Sequence, residues 1–395
     1  MRVLLLNGGS SSLKCTLLES AGRTVLAHAA ADWAGASTHY SFARDGGDAV
    51  RLEASWRGQA AAVRQSLADL QLVGAQGGAL AAVGHRIVHG GELTSSVRVG
   101  PELRAQIAAL GELAPLHNPP GLEALAAAEA LLPSVPHVAV FDTAFHATLS
   151  EAARTYALPA EWTRGWGIRR FGFHGLSHSY CARRAAELVG RPLAELRIVT
   201  CHLGHGCSAC AVQGGRSVDT TMGFTPLDGL VMATRSGAVD PGILLHVQLE
   251  RGLSAHEVED ALNRESGLLG LSGRSGDMRE VLSAARGGDG RARLALEVYT
   301  RRVRQAIGAL AATLGGVDAL VFTAGVGENA PEVRAASCEG LEFLGLALDP
   351  EANASARPDA DVSRPGSNGR IFVVAAREDL SMLAEVERVV GLSPR

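Results

Sequence analysis

The chain has 395 residues, too many for one compact core, so two domains are expected. Apolar residues make up 47% and charged residues 20%, an ordinary balance for a water-soluble globular protein, and no apolar run reaches the roughly 18 residues that span a bilayer. A net charge of −4 excludes any broad attraction to nucleic acid or membrane.

The first apolar run stops at Asn7, too short for a secretory signal, and a cytoplasmic location is the expectation. The cysteines at positions 15, 181, 201, 207, 210 and 338 are accordingly read as reduced thiols. Residues 2–18 (RVLLLNGGSSSLKCTLL) read as strand, tight glycine turn, strand, and residues 1–30 as strand hairpins. Residues 54–80, rich in Ala, Leu and Gln, read as helix. VGHRIVHGG at 83–91 is a short strand with a glycine exit. Residues 99–112 read as helix, LAPLHNPPG at 113–121 as loop, and 121–131 as an Ala-rich helix. HVAVFDTAFH at 137–146 is a buried strand ending on Asp142, near which the first domain is expected to close. RRFGFHGLSHSYCARRAAEL at 169–188 is a turn into a long helix.

RIVTCHLGHGCSACAVQ at 197–213 then repeats the design of residues 2–18. Residues 217–242 form a long insert interrupted by Gly and Pro, read as an irregular functional loop. Helices are predicted at 243–250, 255–263, 277–285 and 291–314. A strand at 319–324 runs into a third glycine turn, GVGEN at 325–329, with a helix after Asn329. Residues 351–370 read as an exposed surface loop, 371–375 as a strand and 378–390 as the last helix. Glycine turns bring backbone N–H groups close to an anion. The paired hairpins therefore predict a duplicated α/β fold with mixed sheets and a phosphate held between the halves. Cys201, His202, His205, Cys207 and Cys210 look superficially like a metal cluster. Positions 207 and 210, however, fall on opposite faces of a strand.

Twelve blocks together resemble the acetate kinase (acetokinase) family almost end to end. They are NGGSSSLK (7–14), GHRIVHGGE (84–92), LAPLHNPP (113–120), FDTAFH (141–146), GFHGLSHSY (172–180), TCHLGHG (200–206), SVDTTMGFTPLDGL (217–230), TRSG (234–237), SGLLGLSG (266–273), DMR (277–279), FTAGVGEN (322–329) and RED (377–379). The resemblance implies two duplicated domains of the ribonuclease H-like (ASKHA-type) fold that acetate and sugar kinases share with actin and heat-shock chaperones, with the nucleotide in the interdomain cleft. It also implies a homodimer that interconverts acetate and ATP with acetyl phosphate and ADP, using Mg²⁺, with Mn²⁺ as the alternative ion. The composite domain would be 1–146 plus 378–395, on the acetate and metal side. The nucleotide-binding domain would be 147–377.

Phosphoryl transfer to a carboxylate needs aligned oxygens, cations to counter spreading charge, and exclusion of water. Acetate is already ionised at neutral pH, so no strong base is required. By similarity, Arg86 holds the acetate carboxylate, and Arg86 and Arg235 stabilise the transferring phosphoryl with planar, bidentate donors. A surface salt bridge is the competing reading. Asp142 matches the catalytic carboxylate, formally a proton donor or acceptor. Its chemistry suits orienting Arg86 or a metal-bound water, and a helix N-cap is the alternative. His174 would donate to phosphoryl oxygens, with a structural core histidine as its alternative. His117 and His202 match with less specific roles. Asn7 and Glu378 match the Mg²⁺ positions, and Glu378 could equally serve a helix dipole.

Lys14, Ser10 and Ser12 would serve the phosphates from the first hairpin, and His202, Leu203, Gly204, His205 and Gly206 from the second. Asp277, Met278 and Arg279 match the adenosine-contacting segment, and Gly325, Val326, Gly327, Glu328 and Asn329 the turn beneath the nucleotide. Val88, Leu116, Phe173 and Pro226 match a small pocket for the methyl group. The chain departs from the family at His205, which titrates near neutrality where Asn is usual, and at Leu176, Arg377 and Gly121. A kinase for propionate or another short-chain acid, a non-kinase ATP-driven binding protein of the superfamily, and a decayed paralogue are the other readings. No nucleic-acid or membrane partner is expected.

Overall fold

In the computed structural model, which describes residues 1–72, 80–114 and 117–392, the first apolar run becomes β1 (Arg2–Gly8). Its residues are buried almost continuously because it is a central strand, covered on both faces. It pairs antiparallel with β2 (Ser12–Glu19). Outward from β2 come β3 (Thr24–Asp32), β4 (Thr38–Arg44) and β5 (Val50–Ala54), all antiparallel. After α1 (Gln59–Asp69), β6 (Leu80–Ile87) pairs parallel with β1. β7 (Val97–Arg98), α2 (Pro101–Ala109), α3 (Asn118–Leu131) and β8 (His137–Phe141) follow. The sheet order is β5-β4-β3-β2-β1-β6-β8-β7.

From His146 to Ala376 the chain forms a second compact unit, separate from Met1–Phe145 with Arg377–Arg395. The second unit contains α4 (Glu151–Arg154), α5 (Gly175–Val189), β9 (Arg197–Leu203), β10 (Cys207–Gln213), β11 (Arg216–Thr220), α6 (Pro241–Arg251), α7 (Ala255–Asp260), α8 (Gly267–Ser272), α9 (Met278–Arg286) and α10 (Gly290–Leu314). It continues with β12 (Ala319–Thr323), α11 (Ala324–Asn329), α12 (Pro331–Cys338), α13 (Pro350–Ser355), β13 (Ala360–Asp361) and β14 (Arg370–Val373). Its sheet runs β11-β10-β9-β12-β14-β13. Strand for strand this repeats β3-β2-β1-β6-β8, with the same parallel and antiparallel pairings and the same antiparallel edge strand. The likeness of the two hairpins thus extends through two five-stranded cores of mixed sheet.

Helices cover both faces of each sheet. In the first unit α3 lies on β1 and β6, and the last helix, α14 (Glu378–Val390), lies on β1, β6 and β8. The approach of α14 is close: a Cβ at Gly84 would stand 2.6 Å from Val386 and 2.8 Å from Leu5. In the second unit α5 covers β9 and β12, and α10 covers β9, β10 and β11. All six cysteines are buried free thiols. Among the described residues no cluster of three or more His, Cys, Asp or Glu could hold a metal. No helix among them is long and apolar enough to cross a membrane.

Several element boundaries differ from the sequence reading. The helix expected over 54–80 is only α1; Gln71 takes φ 55°, which ends a helix, Leu80 already opens β6, and 73–79 lie outside the described residues. The loop expected at 113–121 gives way to α3 from Asn118 onward. Pro119 and Pro120 sit in its first turn, where missing N–H groups cost nothing. The 217–242 insert opens with β11, paired to β10. GVGEN is a short helix rather than an open turn, entered through Ala324 at φ 65°. SGLLGLSG contains α8, which the sequence reading left unassigned. Within 351–370, Asp349 caps α13 and β13 pairs with β14, so Val362 is fully buried.

Candidate active site

In the first unit the site is built around the end of β6. Arg86 reaches Asp142, the residue just after β8, through two parallel bonds: Nε to Oδ1 at 2.9 Å and Nη2 to Oδ2 at 2.6 Å. The Arg86 side chain is 16% exposed and that of Asp142 1%, so this is no surface salt bridge. Asp142 meets the guanidinium with both of its carboxylate oxygens. The remaining nitrogen, Arg86 Nη1, faces Asn7 Oδ1 at 3.4 Å and Glu378 Oε2 at 3.5 Å. Burial alone would lower the Arg86 pKa; Asp142 and Glu378 outweigh it and hold it above its ordinary value. Asn7, Arg86, Asp142 and Glu378 therefore meet at one point, carried by β1, β6, the β8 exit and the start of α14. Glu378 does stand in the first turn of α14, as the dipole reading requires, yet its carboxylate also faces Arg86.

The loops bearing these residues are stitched together by groups the sequence reading left without a role. Asn118, fully buried, accepts from the His89 N–H at 3.0 Å and donates to the His89 carbonyl at 2.9 Å. Thr143 accepts from the Gly90 N–H. Their signal was a polar residue inside a block of specific sequence. Gly121 stands where α3 passes the strand of Arg86: a Cβ there would lie 3.3 Å from Ile87 Cδ1 and 3.5 Å from the Arg86 carbonyl. His117 sits at the N-cap position of α3. Val88 is half-buried, and Leu116 lies outside the described residues.

The first glycine turn is closed by the Gly9 N–H donating to the Ser12 carbonyl at 2.8 Å. Buried Gln59 on α1 braces it by donating to the Gly9 and Ser12 carbonyls. Ser10 is exposed at the tip and Ser12 half-buried. Lys14 is exposed and directly opposite Asn7 in the ladder, hence on the same face. Arg377 is a cation beside Glu378, but Asp379 binds its fork at 2.9 Å and meets its charge.

The second unit gathers its own set. Gly204 donates to the Gly206 carbonyl at 3.1 Å, closing the turn between β9 and β10, and the His205 carbonyl accepts from Ala233. A Cβ at Gly206 would stand 3.5 Å from both Arg235 Nη2 and His174 Nε2. Gly206, Arg235 and His174 are thus neighbours. Arg235 donates from Nη1 to the Pro226 carbonyl at 2.8 Å. No carboxylate pairs with it among the described residues, and burial lowers its pKa. A guanidinium with no counter-ion favours an anion. His174 stands at the start of α5 with φ 57°, its ring stacked on His202 at 4.2 Å. His205 is held below the usual histidine value, by burial first and Arg235 second.

Leu203 is fully buried beneath this turn, and Ala324 lies 3.6 Å from the place a Gly204 Cβ would take. That brings α11, with Gly325, Val326, Gly327, Glu328 and Asn329, next to the turn. Glu328 accepts from the Ala376 N–H at 2.9 Å and Asn329 donates to Gly325. Asp277 caps α9 and pairs with Arg279, while Met278 is buried. Gly276 abuts the Ala233 carbonyl, which places this segment beside the Arg235 loop. Phe173 is 1% exposed, Pro226 half-buried and Leu176 packed in the core.

The model of the acetokinase family matches residues 2–385. The chain belongs to the acetokinase family. It is 54% identical over 305 residues to an acetate kinase of Gloeobacter violaceus, covering 77% of this chain and 75% of that one. The structure of Porphyromonas gingivalis acetate kinase superposes with a TM-score of 0.90 at 39% identity, over 98% of this chain and 99% of that one. A propionate kinase from Francisella tularensis gives 0.89 at 37%, over 97% and 98%. The fold is that of the acetokinases, and the enzyme class is a phosphotransferase with a carboxyl group as acceptor.

Proposed function

We propose that the chain catalyses reversible, direct in-line transfer of the ATP γ-phosphoryl group to acetate. An acetate oxygen forms the new bond to phosphorus as the bond to the ADP oxygen breaks. The observation that carries this reading is the Arg86 fork, fixed by Asp142 while its third nitrogen stays with Asn7 and Glu378. Arg86 receives the carboxylate. Asp142 orients the guanidinium; acetate carries no proton for it to remove. Lys14, Ser10 and Ser12 assist with the phosphates. In the second unit, Arg235, His174 and the 203–206 turn counter charge on the phosphoryl group, with the 277–279 and 325–329 segments holding the nucleoside.

The donor set fits Mg²⁺, or Mn²⁺. Two hard oxygens, from Asn7 and Glu378, converge on one nitrogen. One arginine against two carboxylates leaves a net charge of −1, so an incoming acetate and phosphate tail need further positive charge. Asn7 and Glu378 would hold the ion, directly or through water, and when bound it screens the phosphate oxygens.

By match to the family pattern, Val88, Leu116, Phe173 and Pro226 are the residues proposed to receive the methyl group. One methylene changes selectivity by only about 1–3 kcal/mol, and the likeness to a propionate kinase favours propionate as a second acceptor. Homodimer formation is supported by α6, which buries no residue and exposes Ile243 (52%), Leu245 (60%) and Leu249 (77%). A cytoplasmic location and domain limits near residues 146 and 378 complete the proposal.

The test supplies ATP, Mg²⁺ and hydroxylamine with acetate, propionate, butyrate or no acid, and measures acyl hydroxamate. The strongest signal is expected with acetate. A stronger propionate signal would reassign the acceptor, and ATP hydrolysis without hydroxamate would refute carboxylate phosphorylation.

A further inference from the structure

One face of the second sheet carries a line of buried hydroxyl and imidazole groups. Thr200 and His202 are two apart on β9, and the antiparallel register sets Ser208 of β10 opposite His202. All three therefore share a face, and α5, which carries His178, packs on β9. The bonds form a chain. Thr200 Oγ1 meets His178 Nδ1 at 2.7 Å, His178 Nε2 meets Ser208 Oγ at 2.8 Å, and Ser208 Oγ meets His174 Nδ1 at 2.8 Å. Thr200, His178 and Ser208 are each fully buried.

The direction of this chain follows from proton counting. The Thr200 hydroxyl has His178 as its one side-chain hydrogen-bond partner among the described residues. Its proton must go to Nδ1, since a buried hydroxyl proton without an acceptor is costly. His178 is bonded only to neutral hydroxyls, and burial, with His146 and His202 nearby, holds it neutral. A neutral imidazole has one N–H, so that N–H is at Nε2 and donates to Ser208. The Ser208 proton then donates to His174 Nδ1. The His174 proton is left on Nε2, the atom beside Gly206 and Arg235.

We propose that Thr200, His178 and Ser208 are positioning residues, a one-way relay that fixes His174 in the Nε2–H tautomer so that it meets the phosphoryl group as a neutral donor. This rests on the reading above that His174 donates to that group. The reverse tautomer would aim a lone pair at phosphate oxygens. Charging the ring instead is opposed by the groups around it: His202 from β9, His178 from α5 and Arg235 across Gly206.

Two measurements test the relay. In protein with ¹⁵N-labelled histidine rings, the His174 signal, assigned by its loss in His174→Gln, is expected to show Nδ1 unprotonated and Nε2 protonated at pH 7.5. A protonated Nδ1 overturns the proposal whatever the activity. In steady-state kinetics, Thr200→Val is expected to lower kcat about 10-fold at pH 8 while KM for ATP stays within about twofold. Thr200→Ser, which keeps the hydroxyl, is expected to restore the wild-type kcat. A wild-type kcat in Thr200→Val at pH 8, or a loss not restored by serine, also overturns it. Separately, an unchanged kcat in His174→Ala would sink the donor role while leaving the tautomer result intact.

Discussion

A carboxylate as buried as Asp142 cannot stand unpaired, and its two bonds to the Arg86 fork fix the plane of that guanidinium. Removing its charge leaves a guanidinium largely out of water. Breaking a buried pair from one side typically costs about 3–5 kcal/mol. Asp142→Asn is therefore expected to lose about 3 kcal/mol in urea unfolding and to lower kcat on the order of 100-fold, with no new ionisation in the pH–rate profile. A variant with wild-type kcat would show that the fork needs no such anchor. Arg235 is the opposite case, a partly buried cation with no carboxylate partner among the described residues, and its chemistry is legible only against the anion it would meet.

Among the elements, the first two glycine turns and the strands around them were readable because apolar runs and Gly leave strong local signals. β1, β2, β9, β10 and β12 all fall where those runs lie, and α14 begins at Glu378, where the last helix was expected. The short elements were not readable. Residues 267–272 and 324–329 look like glycine loops, since their helices are held by tertiary contacts rather than by propensity. At the site, Arg86, Asp142, His174 and Arg235 stood out from their blocks. Asn118, Thr200 and Ser208 act through other residues, and only the fold brings them together.

Gly267 illustrates an element held by contact. It takes φ 62°, and a Cβ there would lie 2.3 Å from the Met232 carbonyl and 2.8 Å from that of Arg235. Gly267→Ala must displace backbone in the Arg235 loop, so kcat is expected to fall at least tenfold, with destabilisation of about 1–3 kcal/mol. Gly308 in α10 has nothing within 4 Å. If Gly267→Ala proved as harmless as a substitution there, that packing would be irrelevant to the site.

For the whole molecule, buried neutral histidines set the acid limit. His85 lies in the first unit, and His146 and His178 in the second. Burial pushes His146 down to about 4 and the other two well below their usual value. Each binds its proton more readily unfolded, so its contribution is complete above about pH 6.5 and drains away as pH falls from there toward the folded value. His146 alone accounts for about 3 kcal/mol by pH 4. Carboxylates held low by their partners, such as Asp318 by Arg197 and Asp361 by Ser363 and Arg370, begin to weaken the fold only near or below their unfolded pKa of about 4. The urea midpoint is expected to drop steadily from pH 6.5 to 5. A flat midpoint over that interval would mean these histidines are already protonated or solvated in the fold.

The account stands or falls on Arg86 receiving the carboxylate with a fixed, planar fork rather than with charge alone. Arg86→Lys keeps the charge and removes the fork. In the hydroxamate assay with acetate, kcat/KM for this variant is predicted to fall by about 100- to 1000-fold while the protein stays folded. A folded Arg86→Lys enzyme within about threefold of wild type would contradict it.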